Sequence, residues 1–268
     1  MRIYPGRLVL LGHPVSHSLS PAFQNAALRA AKIPLKYEAI DVEPSELRSV
    51  LRELKESKAA GNVTIPHKTA VHASCDKVTE IAARVGAVNT FWFDSGKLYC
   101  DNTDVGGFDT AVKALMGGEP TDARVVLLGS GGAAAAVLAA LERWPHARVS
   151  IVARSADKAR KLARRFRDVA GVETSLEKAV GGATLIVNAT PIGQHDDEQP
   201  VDVSMIQPTT AVFDLVYRKG GTPWVRAARK KGCPAADGLP MLLEQGALSF
   251  QRWFGVEPDR EAMRQSLL

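Results

Sequence analysis

The stretch RVVLLGSGGAAAA, residues 124–136, decides the fold of the second half of the chain. An apolar run with the length of a buried strand leads into glycines, and these open an alanine-rich segment with helical character. Gly129, Gly131 and Ala134 occupy the three small-residue positions of the dinucleotide-binding fingerprint, with Ala in the third. The first position allows a tight turn, the second lets backbone approach a pyrophosphate, and the third keeps helix and strand close. We therefore predict a Rossmann domain with a nucleotide at the helix N-terminus.

Alternating strand and helix patterns extend from this motif in both directions. Strands are predicted in residues 7–12, 35–42, 62–66, 147–153, 183–190, 210–217 and 233–238, and a hairpin in 87–100. Helices are predicted in 20–32, 45–57, 154–167 and 222–232, and two closing helices in 239–255 and 259–268, with Ser20 and Ser45 as N-caps. This order predicts an α/β protein of two domains. The first, residues 1–105, has an open, mostly parallel sheet completed by the helices of 239–268; the second, 106–238, is the Rossmann domain.

Composition restricts the class of protein. The chain has 268 residues, of which 46% are hydrophobic and 24% charged, as expected for a globular protein with two domains. No apolar run reaches the length of a membrane span, and residues 1–18 lack the order of a signal peptide, so we predict a cytoplasmic protein without membrane contact. Cys75, Cys100 and Cys233 are isolated, which supports neither a disulfide framework nor a zinc site. We expect no metal, and we do not interpret Asn62-Val63-Thr64 as a glycosylation site.

The formal charge of +5 raises the question of nucleic-acid binding. Most of the excess lies in residues 154–167, where Ala159, Leu162, Ala163 and Phe166 recur at helical spacing. This spacing leaves the basic residues on the opposite face, which we interpret as a solvated helix surface. We therefore predict no nucleic-acid partner.

The residues after the second Rossmann strand indicate which nicotinamide cofactor is used. An NAD enzyme needs an acidic side chain there for the ribose 2′-hydroxyl. This chain instead has Ala153, Arg154 and Ser155, with Lys158 one turn further. A guanidinium group matches the geometry of a phosphate, so the sequence predicts NADP in preference to NAD.

Polar residues follow several of the predicted strands of the first domain. The segment GNVTIPHKT, residues 61–69, predicts a strand in which Val63 and Ile65 face a core while Asn62 and Thr64 share the opposite side. Pro66 ends the ladder because it has no N–H. With Ser18, Lys68, Asn89 and Asp104, these groups suit a small polyhydroxylated carboxylic acid. Spacing alone favours the interpretation of Lys68 as a solvated surface residue. His17 and His67 are interpreted as polar loop residues.

The motifs PVSHSLSP, GNVTIPHK, GAVNT, DNTDVGGF, GSGGAA, NATPIG and GLPMLLEQG occur here in the order found in shikimate dehydrogenases. The chain resembles that family over nearly its whole length. The resemblance implies a substrate domain facing an NADP-binding Rossmann domain across a cleft. It also implies reversible, NADP-dependent reduction of 3-dehydroshikimate to shikimate.

The resemblance also implies roles for individual residues. Lys68 and Asp104 match the catalytic pair; Lys68 would meet the charge that develops on the ketone oxygen, and Asp104 would orient it. The implied substrate contacts are Ser18, Ser20, Asn62, Thr64, Lys68, Asn89, Asp104, Tyr217 and Gln245. The implied cofactor contacts are Gly129, Ser130, Gly131, Gly132, Ala133, Arg154, Ser155, Lys158, Thr190 and Gly238.

Some positions depart from the common family pattern. Ala153 and Ser155 stand where Asn and Thr are frequent, Arg218-Lys219-Gly220 replaces an Asn-Pro, Gly61 directly precedes Asn62, and Gly246 stands where Ala commonly follows the glutamine. One alternative is therefore a relative that also accepts quinate or an amino-substituted shikimate, often with NAD, although Arg154 argues against NAD. Another is a non-catalytic sensor of shikimate or NADP, against which Lys68 and Asp104 argue. We expect a monomer or a homodimer.

Overall fold

The computed structural model describes residues 4–195 and 197–267. The chain divides into two compact units. The first contains the described residues up to Gly107 together with the C-terminal segment from Leu242, and the second comprises Phe108–Met241. Each unit has its own six-stranded sheet.

The first unit is built on a mixed sheet. Its elements are β1 (Leu8–Gly12), α1 (Ser20–Ala30), β2 (Tyr37–Asp41), α2 (Leu47–Glu56), β3 (Ala60–Val63), α3 (Lys68–Ser74), β4 (Lys77–Val78), α4 (Glu80–Val85), β5 (Thr90–Asp94), β6 (Lys97–Asp101) and the start of α5 (Asp104–Met116). The strand order is β2-β1-β3-β5-β6-β4. The β1–β2, β1–β3 and β4–β6 pairs are parallel, whereas β5 runs antiparallel to both neighbours. The strands are joined by helices, except at the β5–β6 hairpin.

The second unit contains the Rossmann sheet. Its elements are β7 (Arg124–Leu128), α6 (Gly132–Leu141), β8 (Arg148–Val152), α7 (Ala156–Arg165), β9 (Ala170–Val172), α8 (Leu176–Val180), β10 (Leu185–Asn188), a 3-10 turn (Val203–Met205), β11 (Ala211–Asp214), α9 (Pro223–Lys230) and β12 (Ala235–Ala236). The order β12-β11-β10-β7-β8-β9 is parallel throughout. The two halves of this doubly wound sheet meet between β7 and β10, where such folds bind nucleotides. The predicted α/β fold class is confirmed.

The C-terminal helices are α10 (Leu239–Phe254) and α11 (Arg260–Gln265). Phe250, Trp253 and Met263 pack with Phe23 of α1 on one face of the first sheet. The other face is covered by α2 and α3, which contribute Leu51 and Val71 among others. Because β1 alternates, Leu8 and Leu10 enter the first core while Val9 and Leu11 enter the second. The sheet is therefore buried on both faces, as expected where helices connect its strands.

Several predicted details are wrong. Helix α2 begins at Leu47 and its N-cap is Glu46, so Ser45 lies outside it. Ser20 is the first helical residue and not the N-cap. The strand predicted to reach Pro66 ends at Val63, and Ile65, predicted to face a core, lies in the following turn and is 68% exposed. The short elements β4, β9 and α8 were not predicted.

The isolated cysteines also behave differently from the expectation. Cys75 and Cys100 form a disulfide with a Cα–Cα distance of 6.3 Å, and Cys233 is a buried free thiol. Sequence spacing gave no sign of the pair because the two residues meet only through tertiary structure. Among residues 4–195 and 197–267, no helix combines the length and apolar character needed to cross a bilayer. Over the same ranges, no group of three or more His, Cys, Asp or Glu is arranged to hold a metal ion.

Candidate active site

Two helix N-termini of the first unit bring a lysine and an aspartate together. Lys68 is the first residue of α3 and Asp104 the first of α5. Lys68 Nζ donates to Asp104 Oδ2 over 2.6 Å. The lysine side chain is 26% exposed and the aspartate 11%, so the ion pair is largely shielded but open at the lysine end. An oriented ammonium group that ligands can reach is suited to proton transfer or to stabilising an oxyanion.

Asn89 fixes the second oxygen of this carboxylate. Its Nδ2 lies 2.8 Å from Asp104 Oδ1 and 3.0 Å from Gln245 Oε1. Its Oδ1 accepts from the backbone N–H of Thr103 over 2.7 Å. Gln245 in turn donates through Nε2 to the carbonyl of Leu242. The structure thus joins Lys68, Asp104, Asn89 and Gln245 in one hydrogen-bonded group.

A buried layer of polar groups lies behind that group. Asn62 is 5% exposed; its Oδ1 accepts from Tyr37 Oη over 2.8 Å, and its Nδ2 donates to Ser249 Oγ over 2.8 Å and to the carbonyl of Asn89. Ser249 Oγ also lies 3.0 Å from Thr103 Oγ1. Burial raises the pKa of the Tyr37 phenol well above its usual value, so it remains a donor. The amide of Asn62 is therefore occupied within the protein.

Hydroxyl groups follow two neighbouring parallel strands. Thr64 follows β3 with its methyl group against Gly12 of β1, and its hydroxyl has no hydrogen-bond partner within residues 4–195 and 197–267. Ser18 Oγ accepts from the backbone N–H of Ser20 over 3.2 Å, which leaves its own proton available. Carboxyl ends of parallel strands share one edge of a sheet, which is where α/β folds bind ligands. These hydroxyls are available to a polar ligand there.

The glycine loop of the second unit has the form of a phosphate cradle. Gly129 has φ +108°, and a Cβ there would lie 2.9 Å from the carbonyl oxygen of Ala189. A Cβ at Gly131 or Gly132 would meet no atom of residues 4–195 or 197–267 within 4 Å. Helix α6 begins at Gly132, next to Ala133, with Gly131 as its N-cap after Ser130, and no side chain of the described residues caps it. Open space beside uncapped backbone N–H groups fits a pyrophosphate.

The carboxyl end of β8 presents positive charge. Arg154 is exposed, and within the described ranges it pairs with no acidic side chain. Ser155 Oγ caps α7 by accepting the backbone N–H of Lys158 over 3.4 Å, while Asp157 pairs with Arg160. The acidic residue that binds the ribose of NAD is absent from positions 153–155, and Arg154 is present there instead. These residues therefore fit a 2′-phosphate.

Thr190, Tyr217 and Gly238, the remaining predicted contacts in the second unit, lie near the ends of β10, β11 and β12. Thr190 donates through its hydroxyl to Asn188 Oδ1 over 2.6 Å, and its methyl group is near Gly129. Gly238 approaches the backbone so closely that a Cβ would lie 2.3 Å from the carbonyl oxygen of Leu215. Tyr217 is half-buried, and that burial raises the pKa of its phenol. The structure places Thr190 beside the glycine loop.

A buried carboxyl group near these residues was not anticipated. Asp214, the last residue of β11, accepts hydrogen bonds from Asn188 Nδ2 over 2.8 Å and Thr222 Oγ1 over 2.7 Å. Burial is the main cause that raises its pKa to about 6, and the nearby Asp237 adds to the rise. Asp237, whose pKa is also raised mainly by burial, lies beside Gly238. A single acidic residue inside the predicted strand 210–217 was the available signal.

Sequence reasoning also missed residues in the first unit. Thr103 and Ser249 connect the polar groups described above, although Thr103 lies within the recognised DNTD motif. His67 lies in the turn that precedes α3, as its interpretation as a polar loop residue requires, but it is buried: it is 1% exposed, with Nε2 2.6 Å from the carbonyl of Val42. His17 is exposed. His13 Nδ1 lies 2.6 Å from Asp41 Oδ1 at the ends of β1 and β2.

Comparisons with known proteins identify the family of this chain. Residues 10–91 match the family model described as shikimate dehydrogenase substrate binding domain, and residues 238–268 match the shikimate 5′-dehydrogenase C-terminal domain. A curated shikimate dehydrogenase (NADP(+)) from Rubrobacter xylanophilus is 42% identical over 96% of this chain and 94% of that protein. The crystal structure of shikimate dehydrogenase from Aquifex aeolicus has a TM-score of 0.91 at 36% identity and covers 97% of both chains. That of shikimate 5-dehydrogenase from Thermus thermophilus in complex with NADP(H) and shikimate has a TM-score of 0.89 at 40% identity, again covering 97% of both chains. The chain therefore belongs to the shikimate dehydrogenase family.

Proposed function

We propose that this protein is an NADP-dependent oxidoreductase that interconverts 3-dehydroshikimate and shikimate. The observation that carries the proposal is the Lys68–Asp104 pair, held by Asn89 and Gln245, in a chain whose second unit has a glycine cradle followed by Arg154. Each part has a task in reducing a ketone on a polyhydroxylated acid. Family membership supports the same reaction.

In this proposal NADPH, when bound, supplies the hydride that reduces the ketone carbon. Lys68 donates a proton from Nζ to the ketone oxygen as its negative charge develops, and in the reverse direction it accepts that proton. Asp104 keeps the ammonium group in position through Oδ2. Asn89 prevents rotation of the carboxylate by binding Oδ1. The pair acts as a pre-oriented donor and needs little rearrangement during reaction.

The remaining side chains have separate roles in substrate binding. We assign Ser18, Ser20, Thr64, Gln245 and Tyr217 to the hydroxyl and carboxylate groups of the substrate. Asn62 has a supporting role, because both ends of its amide bind protein groups. It acts through Asn89, whose backbone carbonyl it contacts. This differs from the direct substrate contact expected for it from the resemblance.

Cofactor binding is assigned to the second unit. Backbone N–H groups of residues 129–133 would hold the pyrophosphate, and Arg154, Ser155 and Lys158 the 2′-phosphate. Thr190 and Gly238 would line the nicotinamide. The first unit is accordingly the substrate domain and the second the NADP domain. A cytoplasmic location and a monomeric or homodimeric state stay predictions.

The experiment that tests the proposal follows nicotinamide absorbance with purified protein in four pairings: shikimate or quinate, each with NADP or NAD. Turnover that strongly favours shikimate with NADP is the expected result. Equal or faster turnover with quinate or NAD would place the protein among relatives of broader specificity. Binding of NADP without turnover in any pairing would indicate a sensor and overturn the proposal.

A further inference from the structure

The disulfide joins the two chain segments that carry Lys68 and Asp104. Cys75 directly follows α3, the helix that begins with Lys68. Cys100 lies in β6, and the chain leaving β6 reaches Asp104 at the start of α5. The Lys68–Asp104 ion pair thus links the same two segments that the disulfide links at the other end of α3.

Apart from its buried N-cap His67, helix α3 contributes few buried side chains among the described residues. It has seven residues, of which only Val71 is buried. A helix this short has no stability of its own and depends on tertiary contacts. Its first carbonyl, that of Lys68, accepts from the backbone N–H of Val88 over 3.1 Å, and Asp76 beyond its end is hydrogen-bonded to Leu98.

The strand at the other end of the disulfide is firmly packed. Cys100 is 1% exposed, and β6 lies between β5 and β4 in the sheet. Cys75 and Cys100 join the same apolar core as Val71 and Phe91. The covalent bond therefore fixes a weakly packed helix to a well-packed strand.

We propose that the Cys75–Cys100 disulfide positions Lys68 against Asp104, so that its reduction lowers the turnover of this enzyme. The proposal rests on the proposed function, because it requires Lys68 to act at the reacting oxygen. Cys75 and Cys100 are positioning residues that touch neither substrate nor cofactor. Reduction leaves α3 held by Val71, by its N-cap His67 and by a few hydrogen bonds, and the ammonium group then samples positions away from Asp104.

The redox step is a thiol–disulfide exchange. A small dithiol breaks the protein S–S bond, supplying two electrons and two protons to give two cysteine thiols while the dithiol becomes a cyclic disulfide. A small-molecule disulfide reverses the change: the protein S–S bond forms as the reagent's bond breaks, and two reagent thiols are released. Cys233 has no cysteine partner in the structure and is a thiol in both forms.

The test compares oxidised protein, protein reduced with a dithiol, and the double variant Cys75→Ser/Cys100→Ser, with Cys233→Ser as the control. Thiol counting after denaturation should find one thiol in the oxidised form and three in the reduced form. We expect reduced protein and the double variant to show about a tenfold lower kcat, since small misplacements of a catalytic group are costly. The KM for NADP should be unchanged, hydrogen exchange of residues 68–74 should be faster, and Cys233→Ser should match the oxidised protein.

Three results would overturn the proposal. The first is a count of three thiols in protein that has been purified and kept in air, which would mean that the disulfide does not form. Another is a lower Tm after reduction with an unchanged kcat and pH profile, which would describe a merely stabilising cross-link. The third is unchanged hydrogen exchange of residues 68–74 on reduction. This result would refute the positioning role of the disulfide even if no form turned over shikimate. Absence of turnover in every form, including the oxidised one, would instead refute the proposed function.

Discussion

The two units present their candidate sites in opposite ways. In the first unit the site consists of side chains bound to one another, as in the contacts of Lys68, Asp104 and Asn89. In the second unit the phosphate cradle consists of backbone, and a Cβ added at Gly131 or Gly132 would meet no atom of the described residues within 4 Å. A side-chain site depends on groups that fix each other's position, whereas a backbone site depends on side chains being absent. The units should therefore respond differently to substitution.

The largest effect is expected at the ion pair of the first unit. Lys68→Ala removes the proton donor and leaves Asp104 without its cation. We expect kcat to fall by about a thousandfold, within the usual range for loss of a general acid or base. Steady-state kinetics, together with NADP binding followed by fluorescence, would check this.

The control for that variant is Lys97→Ala, at an exposed lysine in β6 of the same unit. Its kcat should stay close to that of the unmodified protein. Comparable rates for both variants would remove Lys68 from the mechanism. If Lys68→Ala weakened NADP binding as much as it lowered kcat, the substitution would act on the fold.

The second unit should show its main sensitivity in the pH dependence of stability. The pKa of Asp214 is raised from 3.8 to about 6, chiefly by burial, so the folded state holds a proton that the unfolded state releases. Stability from this group is present below pH 3.8 and is lost as the pH rises through about 6. At 1.36 kcal/mol per pKa unit, the loss is about 3 kcal/mol.

Denaturant unfolding of the protein and of Asp214→Asn across this pH range would measure the effect. The variant should lack the decline between pH 4 and pH 6, after subtraction of the slope shared by both proteins. Asp168→Asn, at an exposed surface position, should keep the decline. A variant with the slope of the unmodified protein would show that Asp214 titrates normally.

Cofactor choice gives a smaller effect, because the group that sets it is exposed. Arg154→Ala removes a guanidinium from the carboxyl end of β8. A hydrogen bond to a charged group contributes about 1.5–3 kcal/mol, so the preference for NADP over NAD should fall about tenfold or more. The ratio of kcat/KM values for the two cofactors is the measurement.

Arg148→Ala is a matched control, because Arg148 lies at the opposite end of β8 and is also exposed. It should leave the ratio unchanged. A preference for NADP that survives Arg154→Ala would transfer the discrimination to Ser155 and Lys158.

The difference between the units also explains how far the sequence predicted each. The glycine loop was predictable because its strand, turn and helix are contiguous in the chain. In the first unit, strand alternation indicated which face Asn62 occupies but not what covers that face. The cover is α10, whose Ser249 is 187 positions away in sequence. The buried position of Asn62 and the pairing of Cys75 with Cys100 likewise depend on long-range packing, which local patterns do not encode.

The smallest predicted effect compares one glycine from each unit. Gly246 follows Gln245 in α10, and a Cβ there would lie 2.4 Å from Phe23 Cε2 and 3.2 Å from Gln24 Nε2. Phe23 is fully buried in the adjoining core, which explains why Gly stands at a position where the family commonly has Ala. Alanine at 246 gains up to about 1 kcal/mol of helix propensity but overpacks the core by about 1–3 kcal/mol.

We therefore expect Gly246→Ala to lower the unfolding free energy by about 1 kcal/mol net and to raise the KM for shikimate by displacing Gln245. In a Phe23→Leu background the same change should be neutral or stabilising, because the ring that it meets is absent; a double-mutant cycle measures this coupling. Gly131→Ala is the counterpart from the second unit, where a Cβ meets no atom of the described part of the chain within 4 Å. It should leave stability unchanged and weaken NADP binding, because the added methyl group occupies the cradle. If Gly246→Ala proved neutral while Gly131→Ala destabilised the fold, the contrast between a side-chain site and a backbone site would be wrong.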